Sequence, residues 1–164
     1  MKGRSNALLK YLEEKLKDFE TATAVELTFA RDHFDMIPEI ENAVVFVIDK
    51  ANPDTSNIQI HVSSSPVSII ADKAFFQLIA ETLLAQLFDT IQSGIPISIH
   101  ITQTEETGII EIQASGLSAT NSKTVFNADP SLILCSQLVE DMGGELVYLL
   151  NEKGMYFRLK FLLE

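Results

Sequence analysis

Three polar residues recur at helical spacing in an otherwise apolar stretch of the chain: Thr82, Gln86 and Asp89 occupy positions i, i+4 and i+7. Residues at this spacing share one face of a helix, where a hydroxyl, an amide and a carboxylate could meet a ligand. The simpler interpretation is that this stripe is the exposed side of a core helix. Glu81 falls on the neighbouring stripe with Gln77, which favours a solvated surface glutamate over a catalytic base.

The histidines and the single cysteine show no metal-ligand spacing. His61 and His100 alternate with apolar residues in predicted strands, as half-exposed structural histidines do, and His33 lies in a predicted loop. Cys135 stands among leucines, and we expect it to be a small buried apolar residue. The sequence therefore indicates a structural role for all four residues.

Hydrophobic periodicity divides the chain into the helices and strands that must position these residues. The predicted helices cover residues 5–20, 35–48, 73–91 and 130–142. The predicted strands cover residues 25–29, 58–62, 67–69, 95–102, 108–114, 145–150 and 155–163, and residues 115–130 are predicted to be a loop. We expect Asp35 and Asp72 to cap the second and third helices, and Gly143-Gly144 to end the fourth. This order predicts an α/β (α+β) fold, a two-layer sandwich of a mixed, mainly antiparallel sheet with its helices on one face.

Length, composition and charge limit the class of protein. The 164 residues are 46% hydrophobic and have a mean hydropathy of +0.17, which fits one soluble domain with a sizeable core. No apolar run reaches the roughly 18 to 20 residues of a membrane helix, and a single cysteine suits a reducing compartment. We therefore expect a cytoplasmic protein. Its net charge of −11 argues against a nucleic-acid or anionic-membrane partner, which would need clustered cations.

The long helix carries a resemblance to a known family. Its run ADKAFFQLIAETLLAQLFD, residues 71–89, resembles the N-box helix of the ATP-binding domain of sensor histidine kinases, which has the Bergerat fold and belongs to a superfamily shared with gyrase. Residues 110–118 resemble the strand and turn that hold the family's Asp-x-Gly-x-Gly motif. Residues 130–145 resemble the helix that follows the glycine-rich lid. The resemblance covers residues 35–164 and implies a histidine kinase-like ATPase domain.

The N-terminal segment resembles another part of the same family. Its run LLKYLEEKLKDF, residues 8–19, is similar to the second helix of the dimerisation hairpin of histidine kinases. Residues 1–34 would then be an N-terminal helix and connector. The apolar stripe of this helix either packs on the core of its own domain or pairs with a second copy or a partner helix. None of the three histidines matches the phosphoacceptor of the family, which lies on a helix.

The residues at the site depart from the family pattern. The two N-box asparagines, which face the phosphates and help hold Mg²⁺, correspond to Thr82 and Gln86. Gln86 still offers a carbonyl oxygen and would be a metal ligand if Mg²⁺ were bound, whereas Thr82 offers only a hydroxyl. Asp89 stands where the family commonly has a lysine, and its charge would repel a triphosphate. The aspartate that receives the adenine amino group corresponds to Ala114, which cannot accept a side-chain hydrogen bond.

The glycines of the site are only partly retained. Gly116 of the turn matches the family, but Ser118 replaces its partner glycine. The lid glycines, whose N–H groups can approach phosphate closely, correspond to Asp129 and Ser131. The sequence therefore predicts that ordinary ATP affinity is lost and that no residue is catalytic.

The leading hypothesis is a degenerate histidine kinase-type ATPase domain, a pseudokinase, in two-component-like signal transduction. It would act as a protein-binding or scaffold module, need no cofactor and bind a protein of its signalling pathway. The alternative is a divergent sensor histidine kinase that still binds ATP and Mg²⁺ through unusual ligands. A third hypothesis is an unrelated α/β binding domain that shares the order of elements by coincidence.

Overall fold

The computed structural model of the chain describes residues 29–51, 58–63, 65–90, 95–115, 130–151 and 154–163. The helices in these ranges are α1 (Met36–Ala51), α2 (Lys73–Thr90) and α3 (Pro130–Asp141). The strands in these ranges are β1 (Asp32–Asp35), β2 (Ile58–Val62), β3 (Ser68–Ala71), β4 (Ile97–Gln103), β5 (Thr107–Ser115), β6 (Glu145–Asn151) and β7 (Gly154–Leu162). Within the same ranges, no helix is long and apolar enough to cross a lipid bilayer.

The strands form two sheets of different size. The larger sheet has the order β2-β4-β5-β7-β6, in which β2 and β4 are parallel and all other neighbours are antiparallel. β1 and β3 form a separate antiparallel pair. Buried and half-exposed residues alternate along β4 and β7, as they do in a sheet with one face against the core and one face open. The predicted two-layer α+β sandwich with a mixed, mainly antiparallel sheet is confirmed.

Helix α2 lies at the centre of the core. All but two of residues 75–88 are buried, and the helix contacts both α1 and α3. Phe76 joins three elements, because its ring centroid lies 5.2 Å from that of Phe34 on β1 and 5.4 Å from that of Phe161 on β7, both edge to face. The interpretation of this segment as a core helix is confirmed.

Asp72 caps α2 and ties the start of that helix to the segment before β1. Its Oδ1 atom accepts the N–H of Phe75 at 3.1 Å, and its Oδ2 atom accepts the N–H of Ala30 at 2.9 Å. A second carboxylate assists, since Asp32 Oδ2 accepts the N–H of Lys73 at 2.9 Å. The bonds from Lys73 and Phe75 satisfy N–H groups in the first turn that have no partner within the helix.

Asp35 does the same for α1. Its Oδ1 atom accepts the N–H of Ile37 at 3.1 Å and the N–H of Val67 at 3.2 Å. The N–H of Met36 donates to the carbonyl of Val67 at 3.0 Å. The start of α1 is thereby attached to the residue before β3, and both predicted aspartate caps are confirmed.

Helix α3 ends at Gly143-Gly144, as predicted. Gly143 has a φ of +85°, which favours glycine. The N–H of Gly143 donates to Glu140 and that of Gly144 to Val139, each at 2.9 Å, which is the Schellman pattern. A Cβ on Gly144 would lie 2.5 Å from the carbonyl oxygen of Lys160, so close packing against β7 also requires glycine here.

Strand β1 is the main departure from the predicted elements. His33 was predicted in a loop, and this is wrong, because it lies in β1 opposite Ile70 of β3. The strand has only four residues, DHFD, too few for their alternation to be recognised. The predicted helix 5–20 and nearly all of the predicted strand 25–29 lie outside the described residues.

We expect the substitution Asp72→Ala to lower the free energy of unfolding by about 2 kcal/mol, because it removes a helix cap and a long-range hydrogen bond together. Urea denaturation followed by circular dichroism measures this. Asp49→Ala, on the exposed side of α1, is the matched control, and its effect should stay within about 0.5 kcal/mol. Equal effects of the two substitutions would contradict the role assigned to Asp72.

Candidate functional site

Thr82 and Gln86 lie in the interior of the protein. Their exposed fractions are 2% and 3%, so the interpretation of this stripe as the exposed side of α2 is wrong for both residues. The cause is the position of α2, which is covered by α1, α3 and the sheet at once. Asp89 belongs to the same helix, but its side chain lies outside the described part of the chain.

The hydroxyl of Thr82 is used within its own helix. It donates to the carbonyl oxygen of Leu78 at 2.7 Å, the back-bonding that threonine commonly makes in helices. A buried hydroxyl needs a hydrogen bond, and this one has its bond without any ligand. Thr82 is therefore a satisfied core residue in the structure as it stands.

Ala114 and Ser131 are also buried. Ala114 lies on β5 between Ile97 of β4 and Met155 of β7, with 3% of its surface exposed. Ser131 is in the first turn of α3 and is 1% exposed. The four described pocket-equivalent residues, Thr82, Gln86, Ala114 and Ser131, are therefore all buried.

These four buried residues offer limited chemistry. Thr82 and Ser131 supply hydroxyls, Gln86 supplies an amide and Ala114 supplies a methyl group. No carboxylate or cation is among these four residues, so none of them can act as a general base or neutralise a phosphate. Three further predicted site residues lie outside the described residues: Gly116, Ser118 and Asp129.

Glu81 is half-buried, so it is a partly exposed form of the predicted solvated surface glutamate. Burial raises the pKa of its carboxyl above the ordinary value, and the hydrogen bond from Gln77 lowers it by a smaller amount. The Gln77 Nε2 atom donates to Glu81 Oε1 at 3.3 Å, which confirms that the two residues share a stripe of α2. Glu81 is adjacent to Thr82 in the sequence but lies on the neighbouring stripe of α2, so it is not one of the pocket-equivalent residues.

The two strand histidines are neighbours on the open face of the sheet. His61 of β2 lies opposite His100 of β4, and their rings stack with centroids 4.8 Å apart and an angle of 16°. His61 is exposed and His100 is half-buried. The described residues contain no group of three or more His, Cys, Asp or Glu side chains that could hold a metal ion.

A polar cluster on the same open face was not predicted. Tyr156 donates to Glu111 Oε2 at 2.5 Å, and Arg158 forms an ion pair with Glu145 at 3.3 Å. Burial raises the pKa of the Tyr156 hydroxyl, as do the hydrogen bond and the charge of Glu111, while Arg158 opposes them. Each pair joins neighbouring strands, so the strand register was the signal that could have revealed them.

A cleft lies near the N-terminal end of α2, several turns away from Thr82 and Gln86. Its volume is about 410 Å³, and its lining includes Phe29, Asp72 and Met142. Both oxygens of the Asp72 carboxylate already accept backbone hydrogen bonds. The cleft is therefore separate from the predicted site, and its buried carboxylate has a structural role.

Solved structures with the same fold are catalytic domains and longer segments of histidine kinases. The mycobacterial sensor histidine kinase MprB matches with a TM-score of 0.64 and 16% identity over 82% of this chain and 99% of that chain. The cytoplasmic segment of histidine kinase QseC matches with a TM-score of 0.67 and 8% identity, over 96% of this chain and 95% of that chain. The resemblance is thus confirmed for the fold.

A third structure extends this comparison to a complex. Histidine kinase ThkA, solved with the response regulator protein TrrA, matches with a TM-score of 0.69 and 17% identity over 97% of this chain and 49% of that chain. No family model matches the sequence, and no curated protein matches it. Identities this low show a common fold, which different functions can share.

We expect the substitution Glu81→Gln to change the pH dependence of stability. Burial raises the pKa of the Glu81 carboxyl in the folded state above 4.5. As the pH rises, the carboxyl therefore keeps its proton to a higher pH in the folded state than in the unfolded state. The contribution of Glu81 to stability is therefore present below pH 4.5 and is lost as the pH rises through the folded pKa. The variant should match the wild type at low pH and exceed it at neutral pH.

The neutral-pH gain should be below about 1 kcal/mol, because water screens a half-exposed carboxyl. Urea denaturation of the wild type and of Glu81→Gln, from below pH 4.5 to neutral pH, measures the difference in their free energies of unfolding. Glu140→Gln, on the exposed side of α3, is the matched control and should show no such trend. If the free energies of unfolding of Glu81→Gln and the wild type differed by the same amount at every pH, the raised pKa of Glu81 would be refuted.

Proposed function

We propose that this chain is a degenerate histidine kinase-type ATPase domain that has lost ATP binding and acts in signal transduction as a protein-binding or scaffold module. The observation that carries the proposal is the burial of the pocket-equivalent residues. Thr82, Gln86, Ala114 and Ser131 are between 1% and 3% exposed. A nucleotide could reach their side chains only after a rearrangement of the core.

The residues present do not suit a magnesium ion. Mg²⁺ requires an octahedral set of oxygens and is normally held by carboxylates together with phosphates. The Thr82 hydroxyl already donates to Leu78, and Gln86 would have to supply its amide oxygen from a position that is 3% exposed. We therefore derive no phosphoryl-transfer step for this chain.

Ala114, at the position that corresponds to the adenine-binding aspartate of the family, supports the same proposal. Ala114 has no side-chain acceptor, and it is 3% exposed on β5, between β4 and β7. Losing one buried hydrogen bond to a ligand costs on the order of 1 to 3 kcal/mol. That loss alone weakens binding by about one to two orders of magnitude, before any loss of metal coordination.

A protein partner fits the fold and the charge. ThkA, which shares this fold, is found in complex with a response regulator protein, and we propose a partner from a comparable two-component pathway. The net charge of −11 favours a partner with a basic or neutral surface over nucleic acid. The N-terminal segment 1–34 is proposed as a further contact, with a partner helix or with a second copy.

Calorimetric titration of the full chain with Mg-ATP and with Mg-ADP tests the loss of nucleotide binding. We expect no saturable heat with either nucleotide and no rise in melting temperature. Gln86→Ala should behave like the wild type, as should the control Gln77→Ala, which changes a glutamine of the same helix outside the pocket-equivalent set. A micromolar Kd abolished by Gln86→Ala and kept by Gln77→Ala would overturn the proposal.

The same titration separates the alternative function. A divergent sensor kinase would bind Mg-ATP and then transfer labelled phosphate from ATP to a partner protein. Saturable binding together with label transfer would establish this alternative. Saturable binding without transfer would also overturn the proposed loss of ATP binding and would indicate a nucleotide-binding module.

A further inference from the structure

Strand β6 forms one edge of the large sheet. It is hydrogen-bonded to β7 on one side, and no other described strand pairs with its outer side. It has seven residues, compared with five in β2 at the opposite edge. An exposed edge presents a row of N–H and C=O groups that can pair with another strand.

The sequence of β6 lacks the features that usually prevent such pairing. The strand reads ELVYLLN, with no lysine, arginine or proline and a single charge at its first residue, Glu145. Leu149 is 55% exposed on the open face of the sheet. Natural edge strands are commonly protected by charges, prolines or short length, and β6 has little of this protection.

We propose that β6 pairs antiparallel with β6 of a second copy of the chain. The two copies would be related by a two-fold axis at Tyr148, and the two five-stranded sheets would become one continuous sheet. This is an isologous interface, in which the same strand serves both partners. The backbone hydrogen bonds give affinity, and the side chains on each face set the register.

The register centred on Tyr148 is self-complementary. It places Leu149 of each copy opposite Val147 of the other copy. Two symmetry-related leucine–valine pairs therefore form on the open face. Glu145 then lies opposite the position of Asn151, and no like charges face each other. A register shifted by two residues would set Glu145 against Leu149, which favours the register centred on Tyr148.

Local charge also favours this edge. A chain with a net charge of −11 repels itself in general, so a second copy can approach only where charges are balanced. Glu145 forms an ion pair with Arg158 at 3.3 Å and lies opposite Lys160 in the register of β6 with β7. The carboxylate of β6 is therefore compensated within its own chain.

Sedimentation velocity of the full chain over a concentration series tests the proposal. We expect a monomer–dimer equilibrium, and Leu149→Lys should raise the dimer Kd at least tenfold by placing a charge in the apolar part of the interface. Ile133→Lys is the matched control, since Ile133 is an apolar residue that is 49% exposed on α3 and not part of the edge strand. This control should leave the dimer Kd unchanged.

A charge exchange tests the register itself. Val147→Glu alone should weaken the dimer, and so should Leu149→Lys alone. The double variant V147E/L149K should recover most of the lost affinity, because each new lysine would face a new glutamate of the second copy. In the register shifted by two residues, the two new glutamates would face each other and no new lysine would face a new glutamate, so this recovery would not occur. Circular dichroism and melting temperature of each variant show that the monomer remains folded.

Three results would overturn the proposal. The first is a strictly monomeric wild type at all concentrations, and the second is a dimer that Leu149→Lys leaves intact. The third is a dimer that is lost in Leu12→Lys and retained in Leu149→Lys, which would place self-association in the N-terminal segment. None of these results depends on nucleotide binding, so the inference and the proposed function can fail separately.

Discussion

The structure depends on how the start of α2 is held. The Asp72 carboxylate accepts one hydrogen bond from the first turn of the helix and another from Ala30, which precedes β1. With its start fixed, α2 runs between α1, α3 and the sheet and buries nearly every residue from Phe75 to Phe88. This position leaves Thr82 and Gln86 in the interior, because the only partly exposed stripe among residues 75–88 is that of Gln77 and Glu81.

Local signals in the sequence were enough to predict most elements of the fold. Asp35 and Asp72 precede apolar periodic runs, Gly143-Gly144 ends one, and both capping and helix termination act within a few residues. The pairing of β1 with β3 could not be predicted in this way. It joins Asp32 to Ala71, far apart in the chain, and its stability comes from packing that no local pattern records.

The candidate site was predicted less well, for a related reason. The spacing of Thr82 and Gln86 on α2 shows that they share a face, but it is the same whether that face meets water, a ligand or the core. Only the arrangement of α1 and α3 around the helix decides between these cases. The bond between Tyr156 and Glu111 likewise follows from strand register, which the pattern of alternation leaves open by two residues.

The packing of two residues at the predicted site supports the proposed loss of ATP binding. Groups that contact ligands are commonly kept at a cost in stability, since they are polar and poorly packed when the ligand is absent. Here Ala114 fits between two strands as an apolar residue, and the Thr82 hydroxyl is satisfied by Leu78 of its own helix. Both positions contribute to the core and need no ligand. Under the proposed function, recognition would use the outer surfaces, the open sheet face and its β6 edge, where a protein can bind without entering the interior.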